Sequence, residues 1–266
     1  MRSIRCLTLL LSVAGLAACT GQKPNVSVSL KTAAGPTGST SATATSTGGA
    51  DLGNGIVLSE VRMSVRRVTL FPTAQAPEAK PTPDQMDTEH PEADDQDDLP
   101  RSSFGPFAVD ATFTSTSGTA IHPAFDASVD KGTYAGARIV VNTLKKDSST
   151  TDPVLTALQG LHASIVVDGT IDGQAFEFKT PMRVAQWKKG PIVVGDGTTN
   201  LTLDVDTRGW FTAGDGTTRL DPRERSDRGE ILENIRCSIR LIQDDDRDGE
   251  PDDGDHDRPE GCAGGD

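Results

Sequence analysis

Five carboxylates in the C-terminal stretch have the spacing of a metal loop. With Asp244 at position one, Asp246 is at three, Asp248 at five, Asp252 at nine and Asp255 at twelve, while Gly249 holds position six. Alternate side chains on such a loop converge on one hard cation, the glycine permits the sharp turn, and the last acid closes the shell. The main-chain carbonyl of Glu250, at position seven, supplies a further oxygen. The expected cofactor is calcium, bound at the affinity of extracellular modules, roughly 10⁻⁴ to 10⁻³ M, because a lone loop must be ordered by its ion. The alternative is an acidic tail that only keeps the surface soluble. Cys237 and Cys262 bracket this stretch. As a disulfide they would close a loop of about 25 residues and add roughly 3 kcal/mol; the alternative is two free thiols.

Other chemistry finds little support. His90, His122, His162 and His256 are scattered without zinc-binding spacing, and neither a nucleophile elbow nor a phosphate-cradling glycine loop is present. Facing carboxylates of glycosidase type are weighed against ordinary solvated acids in turns, and the solvated reading is preferred. No enzyme activity is expected. Trp187 and Trp210 are the two large amphipathic rings; exposed, either would stack on a sugar, and the competing reading puts both in the core. A net charge of -13 excludes general affinity for nucleic-acid phosphates. The charge is local: eight acids lie between Asp84 and Asp98 and eleven between Asp244 and Asp266.

Residues 1–19 explain the remaining cysteines. Arg2 and Arg5 precede an apolar run from Leu7 to Leu16 that is shorter than the roughly 20 residues of a membrane span. The run ends in Leu16, Ala17, Ala18 and Cys19, which resembles the bacterial lipobox. That resemblance implies cleavage before Cys19, acylation of Cys19 and, with Thr20 rather than an aspartate next, sorting to the outer membrane. Cys6 leaves with the signal peptide, so Cys237 and Cys262 remain as the pair in an oxidising compartment.

The elements that must position the loop follow from periodicity. A short strand-like piece, Val26 to Leu30, precedes a run from Thr32 to Ala50 with too little apolar area to offset its conformational entropy. It reads as a disordered tether, and the acidic, proline-bearing stretch 72–103 as a disordered insertion. Between these gaps the alternation is period two. Ile56 and Leu58, then Val61, Met63 and Val65, then Val68 and Leu70 keep alternating with two phase slips, the signature of bulges. Further strands are expected over Phe107 to Phe113, Tyr134 to Leu144, Ala163 to Ile171, Gln174 to Phe178, Pro181 to Trp187, Ile192 to Val194 and Leu201 to Val205. Asp172 and Gly173 predict a two-residue hairpin. Asp227 and Glu230 have capping-box spacing ahead of Ile231, Leu232, Ile235, Ile239 and Ile242 on one helical stripe, so a helix is preferred there over a strand.

The whole reads as a mainly β protein: an antiparallel sandwich of prealbumin-like or immunoglobulin-like type with one short C-terminal helix. Its expected divisions are a signal peptide (1–18), a lipidated tether with one short strand (19–54), the sandwich (55–243) and an acidic calcium tail (244–266). The early Val26 to Leu30 strand, Val61 to Leu70, Gly132 to Arg138 leading into Ile139, and Val167 to Gly173 resemble a broad family of bacterial envelope lipoproteins without known activity. The 244–255 spacing, with Pro251 at position eight, resembles the thrombospondin type 3 calcium repeats. These resemblances imply a lipid-anchored envelope protein with a structural or interaction role. Its partners would be the membrane, through the lipid, and a surface polysaccharide or another envelope protein. A carbohydrate-binding module and a hydrolase are the alternatives.

Overall fold

The computed structural model describes residues 25–34, 49–73, 102–113, 118–196, 198–248, 250–252 and 262. The signal peptide, Cys19, the Thr32 to Ala50 run beyond residue 34 up to residue 48, residues 74–101 and Asp255 lie outside them.

Among the described residues, twelve strands form two sheets packed through one apolar core, and two α-helices accompany them. In chain order they are β1 (Asn25–Ala34), β2 (Ala50–Gly53), β3 (Ile56–Pro72), β4 (Ser102–Phe104), β5 (Phe107–Thr112), β6 (Gly118–Ser128) and β7 (Gly132–Val141). Then come α1 (Pro153–Gly160), β8 (Ile165–Ile171), β9 (Gln174–Thr180), β10 (Val184–Val194), β11 (Thr199–Asp206), α2 (Arg228–Ser238) and β12 (Ile239–Gln243). The smaller sheet runs β12-β11-β1-β6, and the larger β10-β7-β3-β8-β9 with β2, β4 and β5 along β3. The fold is thus a β-sandwich, as the alternation predicts. One pairing departs from an all-antiparallel plan: β1 and β11 run parallel, with Val28 opposite Leu201.

β3 organises the larger sheet. Two of its register shifts fall between Leu58 and Glu60 and between Val65 and Arg67, where the hydrophobic alternation slips, and a third lies at its end between Phe71 and Pro72. Each bulge resets the phase, so Leu58, Val61, Met63, Val65, Val68 and Leu70 all face the core with no measurable exposure. At Ser64 the strand changes partner: its N–H donates to Ser164 O (2.8 Å) and its carbonyl accepts from Asn142 N (3.2 Å), which hands β3 from β8 to β7. The β8–β9 hairpin turns at Asp172 and Gly173, both with positive φ (50° and 77°), as the Asp-Gly pair predicts. Asn54 and Gly55 do the same for β2–β3, an Asn-Gly signal the sequence carries and the reading passes over. Arg219 fastens the two turns together, its Nη1 donating to Asn54 O and Asp172 Oδ1, both at 2.9 Å.

Five expectations need correction. β1 is no tether strand: Val26 and Val28 are fully buried and share the common core with Leu201, Leu203 and Trp210, so the sandwich includes Asn25–Ala34. A second helix exists, α1, whose N-cap Asp152 accepts from Val154 N (2.8 Å) and Leu155 N (3.1 Å) ahead of Pro153 at the first turn. It lays Leu158 on Val166, over the outer side of the larger sheet. α2 stops at Ser238. Ile231 and Ile235 are its buried stripe, whereas Ile239 and Ile242 belong to β12 and pair with β11. The capping box does not form either. Asp227 accepts instead from Asp221 N, and Glu230 Oε1 from Gly214 N (2.7 Å). Lastly, the expected strands Pro181 to Trp187 and Ile192 to Val194 merge into one, β10, which starts only at Val184 and is bulged between Lys189 and Ile192.

If β1 is an integral core strand, Val28→Ala removes two buried methyl groups and lowers unfolding free energy by about 2 kcal/mol. A tether residue would change it by no more than about 0.5 kcal/mol. Urea unfolding of the two proteins measures the difference.

Candidate metal centre

The site is built on the outward face of the smaller sheet. β11 alternates Leu201, Leu203 and Val205 toward the core with Asn200, Thr202 and Asp204 on the other side, and all six are buried. Register sets Ser27 of β1 beside Asn200 and Ser29 beside Thr202. On the opposite edge, the antiparallel pairing carries Asp244 to Asn200, its N–H donating to Asn200 O at 3.1 Å. The result is a transverse polar row of Ser27, Asn200 and Asp244 across three strands. Next to it, Arg240 of β12 pairs with Asp204.

Asn200 is the centre of the row. Its Nδ2 donates to Thr202 Oγ1 and to Asp244 O, both at 2.8 Å, and its Oδ1 accepts from Ser29 Oγ at 2.9 Å. Thr202 Oγ1 in turn donates to Asp244 Oδ2 at 3.0 Å. The main-chain N–H of Asn200 donates to Asp245 Oδ1 at 2.7 Å. Asp244 therefore enters the loop fully buried, with its carboxylate aimed by a hydroxyl on a neighbouring strand.

From there the chain folds back across the same face. Arg247 adopts a positive φ of 59° and sends Nη2 to Ser27 Oγ (3.1 Å). Asp248 N donates to Asp246 Oδ1 (3.2 Å) and Glu250 N to Asp248 Oδ1 (2.7 Å), so each carboxylate caps the turn after it. Asp252 closes the loop: its N–H donates to Gln243 O (3.0 Å) and its Oδ2 accepts from Asp245 N (2.6 Å). Carboxylate oxygens of Asp244, Asp246 and Asp248 lie within 4.8 Å of one another, the first buried and the other two exposed. Two oxygens on one calcium at about 2.3–2.6 Å each are at most about 5.2 Å apart, so this spacing fits a shared ion. Of the six expected ligand residues these three come together. Asp252 is spent on Asp245, and the Glu250 side chain approaches Lys31 Nζ (3.9 Å), away from the cluster. Asp255, like Gly249, is outside the described residues.

Cys237, in the last turn of α2, is disulfide-bonded to Cys262, with Cα atoms 5.5 Å apart. The bridge ties the chain beyond the loop back to the helix that precedes β12. The third group near it, Glu233, does not make a metal site there, because both sulfurs are used in the bond.

The tryptophans divide. Trp210 has no exposed surface and donates from Nε1 to Ser238 Oγ (2.6 Å), so it is a core residue and offers no face to a sugar. Trp187 is half-buried, stacked on Phe71 at 5.0 Å with the Arg138 guanidinium 5.2 Å from its ring centre. His162 is exposed, with a positive φ of 50° just past α1.

One more carboxylate group was invisible to spacing arguments. On the outer side of the larger sheet, Glu60 of β3 faces Thr112 and Asp168 across the ladders, and Arg62 faces Asp110. Arg62 pairs with both Asp168 and Glu60. Burial raises the Glu60 carboxyl above its ordinary value; Arg62 opposes the shift, and Asp110 and Asp168 add to it. Arg62 between the acids makes this a cross-strand charge ladder.

No protein-family model, curated protein or solved structure matches this chain. The fold and the loop therefore define it on their own terms as a two-sheet β-sandwich carrying a sheet-anchored triad of aspartates.

A raised carboxyl means that the folded state holds its proton more tightly than the unfolded chain. The Glu60 contribution to stability is present below the ordinary glutamate range and lost as pH rises through the raised value. Glu60→Gln should consequently melt above the parent at neutral pH, with the two melting temperatures converging as pH falls below that range. Calorimetry across pH checks it.

Proposed function

We propose that this protein is a lipid-anchored, non-catalytic component of the bacterial cell envelope, held at the outer membrane through an acylated Cys19, whose Asp244–Asp252 loop binds calcium. The observation that carries the calcium reading is the approach of the Asp244, Asp246 and Asp248 oxygens to within 4.8 Å. Three carboxylates at that spacing repel one another unless a cation lies between them. The cation within the loop itself, Arg247, is turned to Ser27. A divalent, oxygen-seeking ion satisfies the cluster's charge and its hard donors together. Water and the main-chain carbonyl of Glu250 would complete its shell.

The anchor reading rests on the Leu16 to Cys19 motif after a short apolar run, and on an envelope as the compartment in which a Cys237–Cys262 disulfide persists. Among the described residues no helix is long and apolar enough to cross a membrane. In this reading the sandwich stands at the surface on its lipid, and the ion rigidifies the loop that a polysaccharide or envelope partner would meet.

Calcium at tenfold excess over its dissociation constant stabilises the folded state by about 1.4 kcal/mol, a rise in melting temperature of about 3–6 °C for a body of this size. The double variant Asp246→Asn, Asp248→Asn changes only exposed carboxylates and keeps the Asn200–Asp244 anchor, so it should fold and lose the rise. An unshifted wild-type melting temperature sinks the calcium reading. For the anchor, Cys19→Ser expressed in a bacterial host should neither incorporate labelled palmitate nor sediment with membranes. Retention of both by the variant refutes it.

A further inference from the structure

Arg66 and Arg67 are consecutive, yet both line one pocket. The bulge in β3 is the reason. Val65 and Val68 both face the core, so the two residues between them are turned out together. The strand opposite leaves the ladder at the same point. β4 pairs up to Phe104 against Val68 and β5 resumes at Phe107 against Val65, so Gly105 and Pro106 are the unpaired residues facing the two arginines. Gly105 is required there. Its φ is 119°, and a Cβ would lie 2.9 Å from Arg66 O.

These departures open a cavity of about 330 Å³ whose other wall is the 144–148 turn after β7, with buried Leu144 and the exposed Lys145. Gln159 of α1 holds that turn, donating from Nε2 to Lys145 O (2.6 Å) and Ser148 O (3.0 Å). The volume is at the lower end of small-molecule pockets. Three cations line it, Arg66, Arg67 and Lys145, along with the hydroxyl residues Ser103 and Ser148, and no carboxylate does. Asp147 is in the same turn but exposed and not part of the lining. Among the described residues no carboxylate bonds to the head groups of these three cations, in a chain whose net charge is -13. Six other arginines, Arg62, Arg208, Arg219, Arg223, Arg236 and Arg240, are paired with acids.

We propose that this pocket binds a phosphate group, free or carried on a small sugar-sized molecule. Two adjacent guanidiniums and an ammonium supply more charge than one carboxylate neutralises, and a tetrahedral dianion accepts from both forks at once. The two hydroxyls add neutral donors. The site shares no residue with the Asp244–Asp252 loop, so it stands or falls separately from the calcium reading.

The test is calorimetric titration of the calcium-free protein with inorganic phosphate and with glucose 6-phosphate at constant ionic strength, with glucose as the uncharged control. Saturable binding of either phosphate and none of glucose is expected. Arg66→Gln with Arg67→Gln should weaken it at least about tenfold, the loss expected from charge-assisted hydrogen bonds. Lys145→Gln, an exposed change in a turn, tests the same pocket without touching β3. Arg225→Gln, an exposed arginine outside the lining, should bind as the parent does. Glucose 6-phosphate binding tighter than phosphate supports a carried group; equal affinities support the free ion. No saturable binding to the parent overturns the proposal, and so does unchanged binding by both pocket variants.

Discussion

Asn200 determines what the smaller sheet is able to do. Both donors and the oxygen of this one buried amide find partners, reaching Ser29 on β1, Thr202 on β11 and the Asp244 carbonyl after β12. A buried amide left without partners costs about 1–3 kcal/mol per unsatisfied group, so this network accepts a single register. That register joins a strand from residues 25–34 to strands some 170 residues later in parallel alignment, and it delivers Asp244 to the sheet edge with its carboxylate already oriented. The rest of the loop is an exposed turn whose first residue is rigid. A metal loop that starts from such a point has less conformational entropy to lose on binding than one free along its length.

The larger sheet solves a different problem by local means. A strand of 17 residues cannot follow a twisted core without slipping phase, and β3 slips twice. Each bulge keeps the apolar side continuous, and the second sets two arginines side by side. The disulfide fastens residue 262 to α2, the helix that leads into β12.

What was legible in the sequence is what local chemistry decides. Asp172 and Gly173 specify a turn whatever surrounds them, and the phase slips of Ile56 to Leu70 can be counted. Cys237 and Cys262, the two cysteines that bracket the loop, are bonded as their placement predicts. The loop spacing pointed to the Asp244, Asp246 and Asp248 cluster for the same reason. The misses were set by tertiary context. No local pattern marks Ser27, Ser29, Asn200 and Thr202 as a buried row, because only pairing between distant segments buries them. Ile239 fitted a helical stripe and a strand equally well, and β11's free edge decided for the strand. α1 was overlooked although Asp152 before Pro153 is a start signal, because eight residues among strands carry a weak periodicity.

The central claim is that the sheet presents a preformed aspartate triad to a calcium ion. A crystal of the protein grown with calcium, examined by anomalous scattering, addresses it directly. The account predicts a peak about 2.3–2.6 Å from oxygens of Asp244, Asp246 and Asp248, with the Thr202–Asp244 and Asn200–Asp244 hydrogen bonds intact. A loop with no peak at millimolar calcium, or an ion bound elsewhere on the chain with the triad splayed apart, would contradict it.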